Sequence, residues 1–483
     1  MLDCGKRNEK RGIILALHKT VIYIGMQDKH YKNISCFKAY DVRGRVPDEL
    51  NADLAYAIGR AVAAFLKARQ VVVGYDVRLS SRDISAALCR GLCRSGAEVL
   101  DIGLCGTEEV YYATAVLAAD GGIMVTASHN PAEYNGMKFV RHESRPISSD
   151  TGLLAIREMV RKGSFPDAGG TGDIRSIDIR ERYIDHILSY IEPGSLKPLK
   201  AVVNAGNGCA GPVIDLLEKR LPITLVKLQH EPDGSFPHGV PNPLLPENRK
   251  NTSRAVIQEG ADIGIAWDGD FDRCFLFDEK GDFIEGYYLV GLLAQALLRG
   301  MGKPQKIIHD PRLVWNTRDI VTREGGIPIM AKTGHAFIKD RMRAEDALYG
   351  GEMSGHHYFR DFNYCDSGMI PWLLVWQHMS RRNVPLSEMI AERMALYPVS
   401  GEINRKLADP EAVLARIESH FHDMGCENDY TDGLSVSCEN FRINVRKSNT
   451  EPLLRLNVES RGDRTLMEKK TAELLALIDG AMS

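Results

Sequence analysis

Asp120 to Val140 reads D-G-G-I-M-V-T-A-S-H-N-P-A-E-Y-N-G-M-K-F-V. Its apolar run, Ile123 to Val125, ends in small and polar residues and presents Ser128 just past a strand end. Pro131 lacks a backbone N–H and is pre-set for the first turn of a helix, so the spacing predicts that a strand hands over to a helical turn at Ser128. Free N–H groups and the positive dipole end of a helix suit a dianionic phosphate. His129 and Lys138 add positive charge within reach.

Working outward, the same unit recurs. Three times an apolar strand signal is followed by a polar loop and a helical stretch: at Gln70–Asp76, Lys200–Asn204 and Lys306–Asp310. A second strand follows each, at Ala97–Ile102, Ile223–Leu228 and Ile327–Ala331, then a third at Gly122–Thr126, Asp262–Trp267 and Ala347–Gly350. Strands alternating with helical spacers indicate βαβ units and mainly parallel sheets, hence three related α/β mixed-sheet domains. Ligands in such sheets collect beyond the carboxyl ends of strands. Each third strand leads into chemistry-bearing residues: Ser128, then an acidic cluster, then Glu352 with Ser354.

After about residue 395 the pattern changes to period-2 alternation (Phe441, Ile443, Val445; Leu454, Leu456, Val458) flanking a loop, which reads as paired strands. Leu466–Ile478 closes as an amphipathic helix. The expected layout is three α/β domains at 34–180, 181–282 and 283–395 and a smaller α+β domain at 396–483, around a central cleft. Residues 1–33 read as a disordered N-terminal extension that the fold does not need. Ile13–Ile24 superficially resembles a signal peptide, but His18 and Lys19 interrupt it and no small-residue cleavage site follows, so Met26 reads as the natural beginning.

With 483 residues the chain is too long for one ordinary core. A net charge of −3 gives no electrostatic reason to expect nucleic acid or an anionic membrane as partner. No apolar run approaches the roughly 20 residues needed to cross a bilayer. The ten cysteines lack metal-type pairing and read as reduced thiols of a cytoplasmic protein, with Cys89 and Cys93 packing one turn apart on a helix.

Asp268-Gly269-Asp270-Phe271-Asp272-Arg273 follows the apolar strand. Three carboxylates at i, i+2 and i+4 around a glycine can converge on one hard cation, and a set of Asp without His or Cys favours Mg²⁺ over Zn²⁺. Gly350-Gly351-Glu352-Met353-Ser354-Gly355-His356-His357 places an acceptor and a hydroxyl between glycines, suited to sugar hydroxyls. Arg446-Lys447-Ser448-Asn449-Thr450 has the composition of a phosphate cradle.

These residues resemble the α-D-phosphohexomutases, specifically their bacterial phosphomannomutase branch. T-A-S-H-N-P, D-G-D-F-D-R, G-E-M-S-G-H and R-K-S-N-T occur in family order, one per domain, from about Ser35 to the C-terminus. The resemblance implies that Ser128 carries the phosphoryl group and, through it, binds Mg²⁺ with Asp268, Asp270 and Asp272, with Arg273 close by. It implies that Glu352 and Ser354 grip sugar hydroxyls and that Arg446, Ser448, Asn449 and Thr450 hold the non-reacting phosphate. Arg43, Lys138 and His356 are the implied groups for proton transfer or charge stabilisation, His129 and His335 line the cleft, and Tyr40, Arg312 and Gly334 join the substrate-binding set. The implied reaction interconverts mannose 6-phosphate and mannose 1-phosphate through a hexose 1,6-bisphosphate, supplying GDP-mannose; the alternative is a phosphoglucomutase or dual-specificity enzyme. Small hexose phosphates are the expected partners, and a monomer or weak homodimer the expected state.

Overall fold

Three sheets repeat one wiring. A computed structural model describes residues 34–166, 170–407, 409–422, 424–447 and 453–480. In the first domain Glu98–Leu104, Gln70–Tyr75 and Gly121–Val125 lie side by side and parallel, and Tyr134–Arg141 joins the last of them antiparallel. The second domain repeats this with Ile223–Leu228, Leu199–Asn204, Ile263–Trp267 and the antiparallel Cys274–Phe277. The third does so with Ile327–Met330, Lys306–His309, Tyr349–Gly351 and the antiparallel His357–Phe359. Gly121–Val125 and Ile263–Trp267 are buried along their whole length because neighbouring layers cover both faces, which is why they read as unbroken apolar runs.

The helix expected after Ser128 is absent. The chain turns through residues 126–133 and returns as Tyr134–Arg141, antiparallel to the strand it left, with Val125 opposite Met137. Pro131 serves the turn: its carbonyl accepts the Tyr134 N–H at 3.0 Å. A fixed φ near −65° suits a turn as well as a first helical turn, so proline alone did not distinguish them. In all three repeats the loop between the third and fourth strands therefore joins antiparallel neighbours, and each such loop carries the candidate chemistry.

The C-terminal sheet is antiparallel throughout, in the order Ile403–Lys406, Leu453–Ser460, Phe441–Lys447, Leu434–Ser437, Glu427–Asp429. Helices Pro410–Phe421 and Arg464–Asp479 begin under Asp409 and Asp463, whose carboxylates accept the N–H groups of Ala412 and Leu466. Buried apolar side chains, among them Val72, Trp267 and Trp372, form one cluster through the first three domains. The fourth has a core of its own, built from Ile417, Ile443, Leu456, Leu474 and their neighbours.

The reduced-thiol expectation fails for one pair. Glu427 faces Ser437 across the antiparallel ladder, which puts Cys426 opposite Cys438, and the two are joined as a disulfide. Cys89 and Cys93 are buried within helix Ser81–Arg94, as their spacing predicts. No helix among the described residues is long and apolar enough to cross a membrane. The extension at residues 1–33 and the cradle residues Ser448, Asn449 and Thr450 lie outside the described residues.

Candidate active site

Ser128 sits at the apex of the first domain's loop with φ +50°, the left-handed region. Four carbonyls explain how this loop is held: Arg78 donates to Ser128 and Asn130 at 2.9 and 2.6 Å, and to Pro131 and Tyr134 at 2.7 and 2.8 Å. Asp76 orients that guanidinium (Nε–Oδ2 3.3 Å) and accepts from Thr126 Oγ1, which in turn receives the Ser128 N–H at 2.9 Å. Arg78 escaped the sequence reading, although it follows the carboxyl end of the first strand, where such folds place functional groups.

From this loop Ser128 Oγ donates to Asp268 at 2.7 Å. The two loops approach so closely that a Cβ on Gly269 would stand 2.8 Å from the Ser128 carbonyl oxygen; only glycine fits the middle of D-G-D here. Arg273 clamps the same carboxylate through Nε at 2.9 Å and Nη2 at 2.7 Å, and its Nη2 reaches Ser128 Oγ at 3.4 Å and His129 Nδ1. Burial, with Arg273 and Arg43 alongside, holds His129 well below the usual histidine range, so its ring is neutral.

The carboxylates of Asp268, Asp270 and Asp272 present oxygens within 4.8 Å of one another, and all three are buried. Asp270 accepts from Thr107 Oγ1 at 2.5 Å and Lys138 Nζ at 2.7 Å; Lys138 also donates to Asp272. Burial opposes the charge on Lys138, but the two carboxylates outweigh it and hold the ammonium protonated. Among the described residues, one oxygen of Asp270 and one of Asp272 have no hydrogen-bond donor. Burial and the adjacent Asp270 charge push the Asp272 carboxyl up, the mark of more negative charge than the surroundings neutralise. Two orphaned, buried carboxylate oxygens in an all-oxygen set fit a hard divalent cation.

The third loop brings Glu352, whose oxygens accept the Gly334 N–H at 2.9 Å and the Tyr358 hydroxyl. Burial raises its pKa. Ser354 Oγ lies 3.1 Å from His356 Nδ1, and His356 Nε2 lies 3.6 Å from Asp272. Tyr40, Arg43, Ser128, His129, Lys138, Asp272, Arg273, His335 and His356 line one cavity of about 160 Å³, together with Asp41 and Tyr111. Arg43 donates to Asp41 and Asn130, and the Tyr40 ring packs edge-on against His335. His357 stands apart: its ring bonds Tyr349 at 2.7 Å inside the core.

Arg312 and Arg446 form a second centre outside that cavity. Glu402 accepts from Arg446 at 3.1 Å and from Arg455 at 3.2 Å, and Arg312 Nη1 stands 3.5 Å away. Burial would raise the Glu402 carboxyl, but the three guanidiniums hold it below the usual range. Asp310 aims Arg312 with a 2.6 Å ion pair and also accepts the Met353 N–H at 2.8 Å, which ties this cluster to the sugar loop. Glu402 and Arg455 carried no local sequence signal, since the contacts that gather them span 44 and 53 residues.

Known proteins resemble this chain over most of its length. The family models "Phosphoglucomutase/phosphomannomutase, alpha/beta/alpha" domains I, II and III match residues 35–167, 181–281 and 285–397, and the family's C-terminal domain matches 402–476. A phosphomannomutase of Salmonella montevideo is 58% identical over 454 residues, covering 92% of this chain and 99% of its own. Phosphohexose mutases of Xanthomonas campestris pv. campestris are 58% identical over 447 residues, covering 92% and 100%. A crystal structure of a phosphoglucomutase/phosphomannomutase family protein from Burkholderia thailandensis superposes with TM-score 0.82 at 31% identity, covering 92% of this chain and 97% of that one. Four family models in order, and relatives matched over nearly their whole length, establish that the chain belongs to the phosphoglucomutase/phosphomannomutase family and is a phosphohexomutase, an isomerase.

Proposed function

We propose that the chain interconverts mannose 6-phosphate and mannose 1-phosphate by way of a phosphoserine at position 128 and a hexose 1,6-bisphosphate, and so feeds GDP-mannose synthesis in the cytoplasm. The observation that carries this reading is the 2.7 Å contact between Ser128 Oγ and the buried Asp268–Asp270–Asp272 cluster, with Arg273 bridging the two. The phosphomannomutase relatives, 54–59% identical, support mannose as the sugar.

In the first half-reaction the P–O bond to Ser128 Oγ breaks and a new one forms to the free hydroxyl at C1 or C6 of the sugar. The hydroxyl proton passes to His356, the neutral imidazole of the set, while the Lys138 ammonium and the Arg43 guanidinium stabilise the charge that develops. After the bisphosphate turns over in the cleft, the other phosphoryl returns to Ser128 and the proton to the sugar oxygen left behind. Phosphoryl transfer has a loose transition state, so positioning and charge neutralisation dominate its catalysis. Asp268, Asp270 and Asp272 would hold Mg²⁺, whose chemistry there is neutralisation of charge on the transferring phosphoryl oxygens. Arg273 supplies a second positive group from the protein itself. Glu352 and Ser354 fix the sugar ring by its hydroxyls, and Arg312 and Arg446 hold the phosphate that does not react.

A coupled assay run with mannose 1-phosphate and glucose 1-phosphate tests the substrate, alongside intact mass before and after bisphosphate treatment. The expected result is faster turnover of the mannose substrate and a mass increase of one phosphoryl that Ser128→Ala abolishes. Preference for glucose 1-phosphate would overturn the sugar assignment, and a mass increase retained in Ser128→Ala would overturn the phosphoserine.

A further inference from the structure

The C-terminal domain supplies Arg446 directly, and its sheet also grips the loop that carries Arg312. Arg442 donates to the carbonyls of Pro311 and Arg312 at 2.6 and 2.8 Å, with a third bond to Ser435 Oγ at 2.9 Å. Glu459, on the next strand and 3.5 Å from Arg442, accepts the N–H groups of Val314 and Trp315 at 2.9 and 3.1 Å. Its other contact is the Tyr287 hydroxyl at 2.5 Å. One ion pair thus takes the carbonyls at one end of the Pro311–Trp315 loop and the amides at the other, and both members are buried.

We propose that Arg442 and Glu459 are positioning residues that set Arg312 for the substrate phosphate, in register with Arg446. The proposal rests on the reading that Arg312 contacts that phosphate. Arg442 and Arg446 lie four residues apart on one strand, so their side chains share a face. The opposite face, Phe441, Ile443 and Val445, is locked into the domain's own core. A rigid strand therefore fixes how far Arg446 stands from the backbone of Arg312, although the two arginines belong to different domains. Glu402, within 3.5 Å of both guanidiniums, marks where they converge. The two domains have separate apolar cores, and this polar pair, with the Arg461 guanidinium 4.1 Å over the Trp315 ring, ties the Arg312 loop to the fourth domain.

The test compares Arg442→Lys and Glu459→Gln with Arg312→Ala in steady-state assays, using whichever of mannose 1-phosphate and glucose 1-phosphate is turned over faster. Arg442→Lys keeps a charge beside Glu459 but cannot reach both carbonyls. The expected result is a KM raised about fivefold or more in each single variant, with kcat within about twofold. In Arg312→Ala/Arg442→Lys, KM should match Arg312→Ala alone, because a displaced loop no longer matters once the guanidinium is gone. A merely structural role would lower kcat through lost active enzyme and leave KM unchanged, and that outcome overturns the proposal, as does a KM increase that multiplies in the double variant. An unchanged KM in Arg312→Ala removes the underlying phosphate contact and the proposal with it. Melting temperatures accompany each variant. If both charge variants fail to fold, Tyr287→Phe, which removes one bond from Glu459, carries the same comparison.

Discussion

The two charged centres of this protein are built as opposites. At Ser128 one ammonium, Lys138, is shared between two buried carboxylates, and carboxylate oxygens are left over. At the boundary of the third and fourth domains one carboxylate, Glu402, is shared among three guanidiniums. The first centre has the chemistry to take a cation, and the second, where Asp310 and Asp432 pair with Arg312 and Arg446 beside Glu402, is the proposed seat of the non-reacting phosphate. Their settings differ too. The first lies between domains that share one apolar core, the second against a domain with a core of its own, joined through polar side chains. Polar inter-domain contacts of that kind permit relative motion more readily than a shared core does. Arg442 and Glu459 hold the Pro311–Trp315 loop to the fourth domain's sheet, so any such motion carries Arg312 and Arg446 together.

Four experiments bear on this contrast. The largest effect belongs to Ser128→Ala, which should lower turnover on the order of 10⁴-fold while leaving hexose-phosphate binding measurable by calorimetry. Near-normal turnover would remove the serine from the reaction and leave the first centre a mere metal site. Next, Asp270→Asn should cut kcat by about 10²-fold and weaken the Mg²⁺ requirement, read from a metal titration of activity. An unaltered Mg²⁺ midpoint would show that the surplus carboxylate oxygens serve something else.

Arg446→Ala should act differently in kind. It should raise KM by roughly 10- to 100-fold, since a charge-assisted hydrogen bond contributes about 1.5–3 kcal/mol, while kcat moves by less than about threefold. If kcat fell in parallel with an unchanged KM, the two centres would not divide the labour as proposed. The smallest effect is on stability. Burial, with Lys339 adding to it, pushes His335 at the first centre down to about 3, against 6.5 for an ordinary histidine. The unfolded chain therefore binds the extra proton between those values. Stability is present in full above pH 6.5 and is lost as pH falls toward 3, by at most about 1.4 kcal/mol per pH unit for one group. His335→Gln should flatten the fall in melting temperature between pH 6.5 and 4; an unchanged slope would place the acid sensitivity elsewhere.

What the sequence made legible was whatever rests on local order. The strands ending at Val125 and Trp267 announced themselves as apolar runs, and the rule that ligands gather past strand ends pointed at Ser128 and the aspartate loop without further help. The fate of the chain after Pro131 was not legible, because a proline is equally suited to a turn and to a first helical turn; pairing with Gly121–Val125 decided it. Nor was the Cys426–Cys438 bond, which depends on a register between two short strands. Arg78, Glu402, Arg442 and Glu459 look like ordinary surface charges in the chain, and only long-range contacts reveal what they hold.

The amino-acid order by itself determined four domains, three of them copies of one plan, and the residue types that chemistry requires at the head of each loop. Such information is carried by periodicity and spacing within a few tens of residues. Tertiary structure alone decided that the serine hydroxyl meets Asp268, that Gly269 must stay bare to allow it, and that arginines from two domains face one carboxylate. Those facts are distances between parts of the chain remote in sequence, set by how buried faces pack and how buried charges find partners, and no local pattern encodes them.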